Sequence, residues 1–161
     1  ASLMEIIKKG YRLNLLIIGP IDKADKIKFL DLIESNYLRK YIKYIPWINI
    51  EKLPTYLNIS DICTAPFLVN KQHESGVANK IFQYMYGKKP IIASNCKPQA
   101  ELIKNFKCGL IYEDIDDLTN KIIYLIKNPV EIERMGNNGF NNLHKFYNNN
   151  KLSNDLLKIF K

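Results

Sequence analysis

The sequence predicts an α/β protein built as a Rossmann-like, doubly wound parallel sheet, and three observations predict it. Short apolar runs alternate with longer stretches in which apolar residues recur at helical spacing. The runs are too uniformly apolar for a sheet with one wet face, as suits parallel strands covered on both sides. Each run ends at a Gly, a Pro or a polar turn, which separates strand from helix repeatedly in βαβ fashion. At 161 residues and 47 % hydrophobic, the chain suffices for one compact domain with its own core and is short for two.

Residues 13–18, Leu-Asn-Leu-Leu-Ile-Ile, form the first expected strand, fully buried and closed by Gly19-Pro20. Ile27, Leu30, Ile33 and Tyr37 then predict a helix over 23–38. A second strand spans 42–45 and stops at Pro46, and a short helix spans 51–59 with Pro54 near its first turn. The third strand is 61–65. After it comes the longest non-periodic connection, 66–78, and then the helix that holds Gln83. Residues 90–94 form the fourth strand, 98–106 a helix and 109–112 the fifth strand. The remainder reads as helix over 118–127 and from 130 to the end, with breaks at Pro129 and at Asn148-Asn149-Asn150. No internal repeat or interdomain linker is visible.

Composition narrows the function classes. No run approaches the roughly 18 apolar residues of a membrane span, and the N-terminus lacks the apolar core of a signal peptide, so a soluble cytoplasmic chain is expected. Cys63, Cys96 and Cys108 lack ligand spacing and neighbouring histidines, and are expected as small core or strand-end residues rather than disulfide or zinc ligands. The net charge is +8, yet of the basic residues three are arginines and 21 are lysines scattered along the chain. Base readout favours bidentate arginine on a compact stripe, so nucleic acid is not expected as a partner. Scattered lysines suit an anionic membrane surface or a phosphorylated ligand, with a merely solvated surface as the open alternative.

Ligands of doubly wound sheets bind beyond the carboxyl ends of the strands. The 66–78 connection leaves such an end. Within it Ser75-Gly76-Val77-Ala78-Asn79 runs into a helix, where a glycine admits close backbone approach and helix-start amides carry partial positive charge, a cradle for a diphosphate. Lys80, in the first turn, has the wrong sign for the helix dipole; it either meets an anion there or reaches out to solvent. Gln83, set among Ile81, Phe82, Tyr84 and Met85, either holds vicinal hydroxyls of a sugar or caps a nearby backbone group. Asp114-Ile115-Asp116 has the D-x-D pattern of a metal grip, but its place between strand and helix makes capping the better reading, and no metal site is expected. Neither His73 nor His144 completes a Ser-His-Asp or Cys-His set.

The stretch from Ser75 to Met85, followed by Gly87-Lys88-Lys89-Pro90-Ile91-Ile92-Ala93-Ser94, resembles the signature of the C-terminal, nucleotide-sugar-binding half of GT-B glycosyltransferases, and most closely the group 1 enzymes of family 4. The segment 42–66, Cys108-Gly109-Leu110-Ile111, Asp117-Leu118, Asn128-Pro129 and Met135-Gly136-Asn137-Asn138-Gly139 are similar to that family as well, so the likeness covers nearly the whole chain. The resemblance implies that Gln83 stands where the family places its ribose-binding glutamate. The family's first glutamate, which contacts the donor sugar, falls on Ser75, and His73 or the adjacent Glu74 is the substitute for that role. Ser75, Gly76, Val77, Ala78 and Lys80 would line the donor, Trp47 would lie along the nucleobase unless it is a surface aromatic, and Gly19 joins the nucleotide-binding set.

What the resemblance implies as a whole is a retaining, metal-independent glycosyltransferase. It would need no cofactor beyond its substrate, a UDP- or GDP-sugar. Its acceptor would be a cell-surface polysaccharide or glycolipid held by an N-terminal domain outside this sequence. Location would be cytoplasmic, at the inner face of the membrane. Nothing before residue 13 resembles the family's opening strand, which would be central, so the chain is expected to be a fragment of a single donor-binding domain beginning within its first helix and inactive alone. A GT-B-like sugar-nucleotide epimerase and a degenerate binding module are the alternatives.

Overall fold

The computed structural model describes residues 1–34 and 37–148. They form helices alternating with parallel strands in two compact units, one ending at Thr55 and the other beginning at Tyr56.

The first unit holds α1 (Ser2–Lys8), β1 (Leu15–Ile18), α2 (Lys26–Glu34) and β2 (Ile42–Ile45). β1 and β2 pair in parallel from Leu15 opposite Ile42 to Ile18 opposite Ile45, and the Gly19 amide adds one bond to the Ile45 carbonyl at 3.1 Å. Ile6 of α1 is fully buried, Ile33 of α2 and Leu38 nearly so, and Phe29 meets Tyr44 edge-on at 5.4 Å. α2 starts later than its apolar spacing predicts because Asp22 builds a turn ahead of it: its carboxylate accepts from the Ala24 amide at 3.0 Å and its carbonyl from that of Asp25 at 3.1 Å. Ile27 is therefore a first-turn residue and 73 % exposed, and Tyr37, beyond the described end of α2, is exposed too. β1 is half-buried at all four positions rather than fully buried, in keeping with a ladder that has one partner.

The second unit begins within α3 (Leu53–Asn58), a helix entered through a single 3-10 turn over Ile50–Lys52. It continues with β3 (Cys63–Ala65), α4 (Asn79–Tyr86), β4 (Ile91–Ser94), α5 (Lys97–Phe106), β5 (Gly109–Tyr112), α6 (Ile115–Lys127) and α7 (Pro129–Phe146). The strands pair in parallel in the order β3-β4-β5. β4, in the middle, is buried at every residue, as its unbroken apolar run requires. Ile81 and Met85 of α4 and Ala100 and Ile103 of α5 close over Ala65, Ile91, Ala93 and Cys108 to make the core. Each large apolar side chain so buried contributes about 1.5–3 kcal/mol.

The strands thus make two ladders, β1-β2 and β3-β4-β5, where one sheet was expected. Ahead of β1 the chain forms the helix α1. The parallel α/β architecture itself, Rossmann-like in the alternation of its elements, is as the sequence predicts. The expected break at 148–150 and the helix beyond it lie partly or wholly in 149–161, outside the described residues.

Helix ends in the second unit have identifiable causes. Asp114 accepts the Asp117 amide at 2.8 Å, so the D-x-D segment starts α6 by capping it. Asp117 pairs with Lys121 and accepts the Glu113 amide, and the Lys121 ammonium together with that amide holds its carboxyl below the usual range. α4 and α5 both close with paired return bonds: Lys88 to Met85 and Lys89 to Tyr84 after α4, Lys107 to Lys104 and Cys108 to Ile103 after α5. Both motifs place a lysine at positive φ, Lys88 at 55° and Lys107 at 50°, where glycine is the unstrained choice. α7 packs beside the first of these turns through Gly136, whose missing Cβ would lie 2.1 Å from the Lys88 carbonyl oxygen. All three cysteines are buried and free; burial pushes the Cys63 and Cys108 thiols up to about 12.

Three stability changes follow and are read by thermal unfolding. Gly136→Ala is expected to cost about 3 kcal/mol, since a methyl on α7 must displace backbone rather than a flexible side chain. Asp114→Ala should cost about 1 kcal/mol through loss of the cap. Lys107→Gly should raise the melting temperature, by an amount corresponding to about 1 kcal/mol, because it removes left-handed strain at a solvated position.

Candidate functional site

The second unit presents one segment where chemistry-bearing residues gather, the connection from β3 to α4. β3 ends at Ala65, and Phe67, its amide bonded to the Ala65 carbonyl at 3.0 Å, turns a half-buried ring onto the core. From there the chain is shaped by its own polar side chains. Asn70 accepts the His73 amide through Oδ1 at 2.9 Å and the Glu74 amide through its carbonyl at 3.0 Å, and the Ser75 hydroxyl donates to the Gln72 carbonyl at 2.7 Å.

The same loop is tied to the start of α5. Cys96 Sγ donates to the Leu68 carbonyl at 3.5 Å, and Gln99 Nε2 donates to the His73 carbonyl at 3.1 Å. His73 Nδ1 lies 2.8 Å from the Leu68 carbonyl oxygen. A carbonyl only accepts, so Nδ1 carries the proton and a neutral His73 ring keeps its lone pair on Nε2. The His73 and Phe67 rings are 4.9 Å apart, and the Lys80 ammonium sits 4.8 Å from the Phe67 centroid. Burial lowers the Lys80 pKa, so this cation is short of solvation. Lys80 therefore lies against an aromatic face, which neither of the two sequence readings, anion contact or free reach into solvent, contained.

α4 begins at Asn79 without a side-chain cap, its N-cap residue Ala78 being extended. The amides and partial positive charge of that end are open to an incoming acceptor. Gln83 follows one turn later, between the fully buried Ile81 and Met85 and beside the half-buried Phe82. Its side chain is half-buried and makes no hydrogen bond among the described residues, so it does not cap a backbone group. A Cβ on Gly76 would meet nothing within 4 Å, which leaves open space beside the loop backbone there. Val77 and Ala78 are half-buried, with Val77 against the core, whereas Glu74 is exposed.

The structure thus brings His73, Glu74, Ser75, Gly76, Val77, Ala78, Lys80 and Gln83 onto one loop and helix of the second unit. Gly19 and Trp47 belong to the first unit. Gly19 has φ 131°, a conformation glycine alone takes readily, and Trp47 is 74 % exposed just past β2. Among the described residues no group of three or more His, Cys, Asp or Glu is placed to hold a metal ion.

Sequence reasoning passed over several polar residues near the strand ends. Asn95 Nδ2 donates to both Glu113 carboxylate oxygens at 3.0 and 3.1 Å. Ser94, nearly buried, stands opposite Tyr112 in the β4-β5 register, and burial raises the Tyr112 pKa. These residues end β4 and β5, the edge where ligands of such sheets bind, and that placement was the signal available for them. Gln99, 1 % exposed, was also missed; its Oε1 has no partner among the described residues, a state that costs about 1–3 kcal/mol.

The chain matches the family model described as glycosyl transferases group 1 over residues 2–142. No curated protein matches its sequence. Among solved structures it is similar to sucrose-phosphate synthase from Thermosynechococcus elongatus, with a TM-score of 0.81 and 18 % identity over 99 % of this chain and 40 % of that one. It is likewise similar to HepE of Anabaena in complex with UDP and glucose, with a TM-score of 0.79 and 13 % identity over 99 % and 43 %. The C-terminal domain of the group 1 glycosyltransferase LpcC from Francisella tularensis gives 0.75 and 19 % over 92 % and 76 %. The chain spans less than half the length of the first two, and likeness at these identities establishes the fold as that of the Rossmann-like C-terminal half of GT-B proteins. Fold and family match together make the chain a member of the group 1 glycosyltransferases.

Proposed function

We propose that the chain is the C-terminal, donor-binding part of a family 4 enzyme that transfers a sugar from UDP- or GDP-sugar with retained anomeric configuration and without a metal ion. The observation that carries this reading is Gln83, a half-buried amide with no hydrogen-bond partner among the described residues, one turn into an uncapped helix. Such an amide can donate to one ribose hydroxyl and accept from its neighbour. The open end of α4 and the poorly solvated Lys80 ammonium are suited to the diphosphate, whose negative charge grows as the sugar departs. His73 Nε2 and the exposed Glu74 carboxylate are the groups left for the sugar, because the Ser75 hydroxyl is already engaged by Gln72. Gly19, in the nucleotide-binding set, and Trp47, against the base, enter on the resemblance. UDP is the favoured nucleotide among the two, since HepE was solved with UDP-glucose and TarM of S. aureus with UDP.

The acceptor is proposed to be a cell-surface polysaccharide or glycolipid, bound by an N-terminal domain, with the enzyme at the cytoplasmic face of an anionic membrane to which the +8 charge draws it. No described helix is long and apolar enough to cross a membrane.

Calorimetry with UDP, GDP and ADP tests the donor reading. UDP or GDP is expected to bind, and Gln83→Ala to weaken that binding about tenfold, or roughly 1.4 kcal/mol, with an unchanged melting temperature. A folded chain that binds none of the three, or a variant of undiminished affinity, overturns the role given to this site.

A further inference from the structure

His73 is held more completely than a half-buried loop residue needs to be. Its amide is bound by Asn70, its carbonyl by Gln99, its ring Nδ1 by Leu68 and its ring face by Phe67. Leu68, which takes the ring proton, is itself held by Cys96. Two of these five restraints, those from Cys96 and Gln99, come from outside the loop, at the start of α5. Cys96 contributes a weak thiol donor. Gln99 contributes the one strong bond, an amide N–H aimed at the His73 carbonyl from a side chain that is otherwise sealed in the core.

The other half of that amide shows why Gln99 is not there for packing. Its Oε1 is buried without a partner among the described residues. An apolar side chain of the same bulk would avoid that cost and fill the space as well. The amide orientation is fixed by chemistry, because turning it over would set Oε1 against the His73 carbonyl oxygen.

We propose that Gln99 is a positioning residue: by binding the His73 carbonyl from α5 it fixes the ring in its Nδ1-protonated form and directs the Nε2 lone pair outward as the reactive face of the loop. That this face meets a sugar nucleotide rests on the function proposed above; the positioning itself does not. Supporting groups of this kind matter where a ring must be presented in one tautomer and one direction before a ligand arrives.

The test uses the full chain, isotopically labelled, with Gln99→Met, which keeps the length of the side chain and removes its donor. Imidazole nitrogen shifts report the tautomer of His73, and amide exchange at His73 and Glu74 reports the loop. The wild type is expected to show a single Nδ1–H form. The variant is expected to show a mixture of tautomers, with about tenfold faster exchange at both amides and a melting temperature equal to or above that of wild type. A glutamine with only a packing role would lower the melting temperature and leave the ring signals alone, and that result overturns the inference. Gln99→Leu serves as second variant if the methionine form does not fold. UDP affinity measured alongside separates the two proposals: a wild type that binds no nucleotide removes the donor reading, while the ring and exchange data still decide the role of Gln99.

Discussion

The parallel ladder β3-β4-β5, with β4 sealed on both faces, is the constraint on which the rest of the second unit depends. Parallel strands cannot be joined by tight hairpins, so each must be followed by a crossover, and α4 and α5 are those crossovers. Every strand then ends at the same edge. The β3-α4 loop, the Ser94-Asn95 corner and the Tyr112-Glu113 corner meet there as a consequence of strand direction, before any residue has been chosen for chemistry. Burying Ile91 to Ser94 also anchors the start of α5, which begins three residues further on at Lys97, with Cys96 just ahead of it and Gln99 within it.

Given that edge, local polarity decides what is available. Several polar atoms of the β3-α4 loop are engaged within the loop itself: Asn70 by two amides, Ser75 by Gln72, His73 Nδ1 by Leu68. Among the described residues, the groups that remain uncommitted include the open end of α4, the Gln83 amide, the Glu74 carboxylate and one nitrogen of His73. A rigid loop with a few unspent donors and acceptors is a binding surface with little ordering left to do, which is favourable because ordering at the moment of association subtracts from affinity.

Elements whose signal is local were legible in the sequence. β2 and β5 fall where the apolar runs place them, since Pro46 and the Gly109 and Tyr112 boundaries act within a few residues. α2 was read too long because Asp22 organises a turn that competes with the helix, a side-chain effect that apolar spacing does not register. The half-burial of β1 and the division into two ladders depend on which strands find partners, a tertiary property invisible to a run of hydrophobic residues. The loop and helix of the candidate site were legible through the family pattern around Gln83. Gln99 was not, because in a helix beginning Lys-Pro-Gln-Ala-Glu a glutamine looks like one more solvated position, and only the fold turns it inward.

The buried cysteines have a consequence of a different kind. With Cys63 and Cys108 sealed in the core and their thiols raised to about 12, almost no thiolate exists at neutral pH in the closed molecule. Alkylating or oxidising agents therefore encounter a chain that is chemically silent while folded and reactive once the sheet opens. These two residues, which the candidate site does not use, thus serve as internal clocks: the rate at which they are modified measures how often the core beneath the site opens.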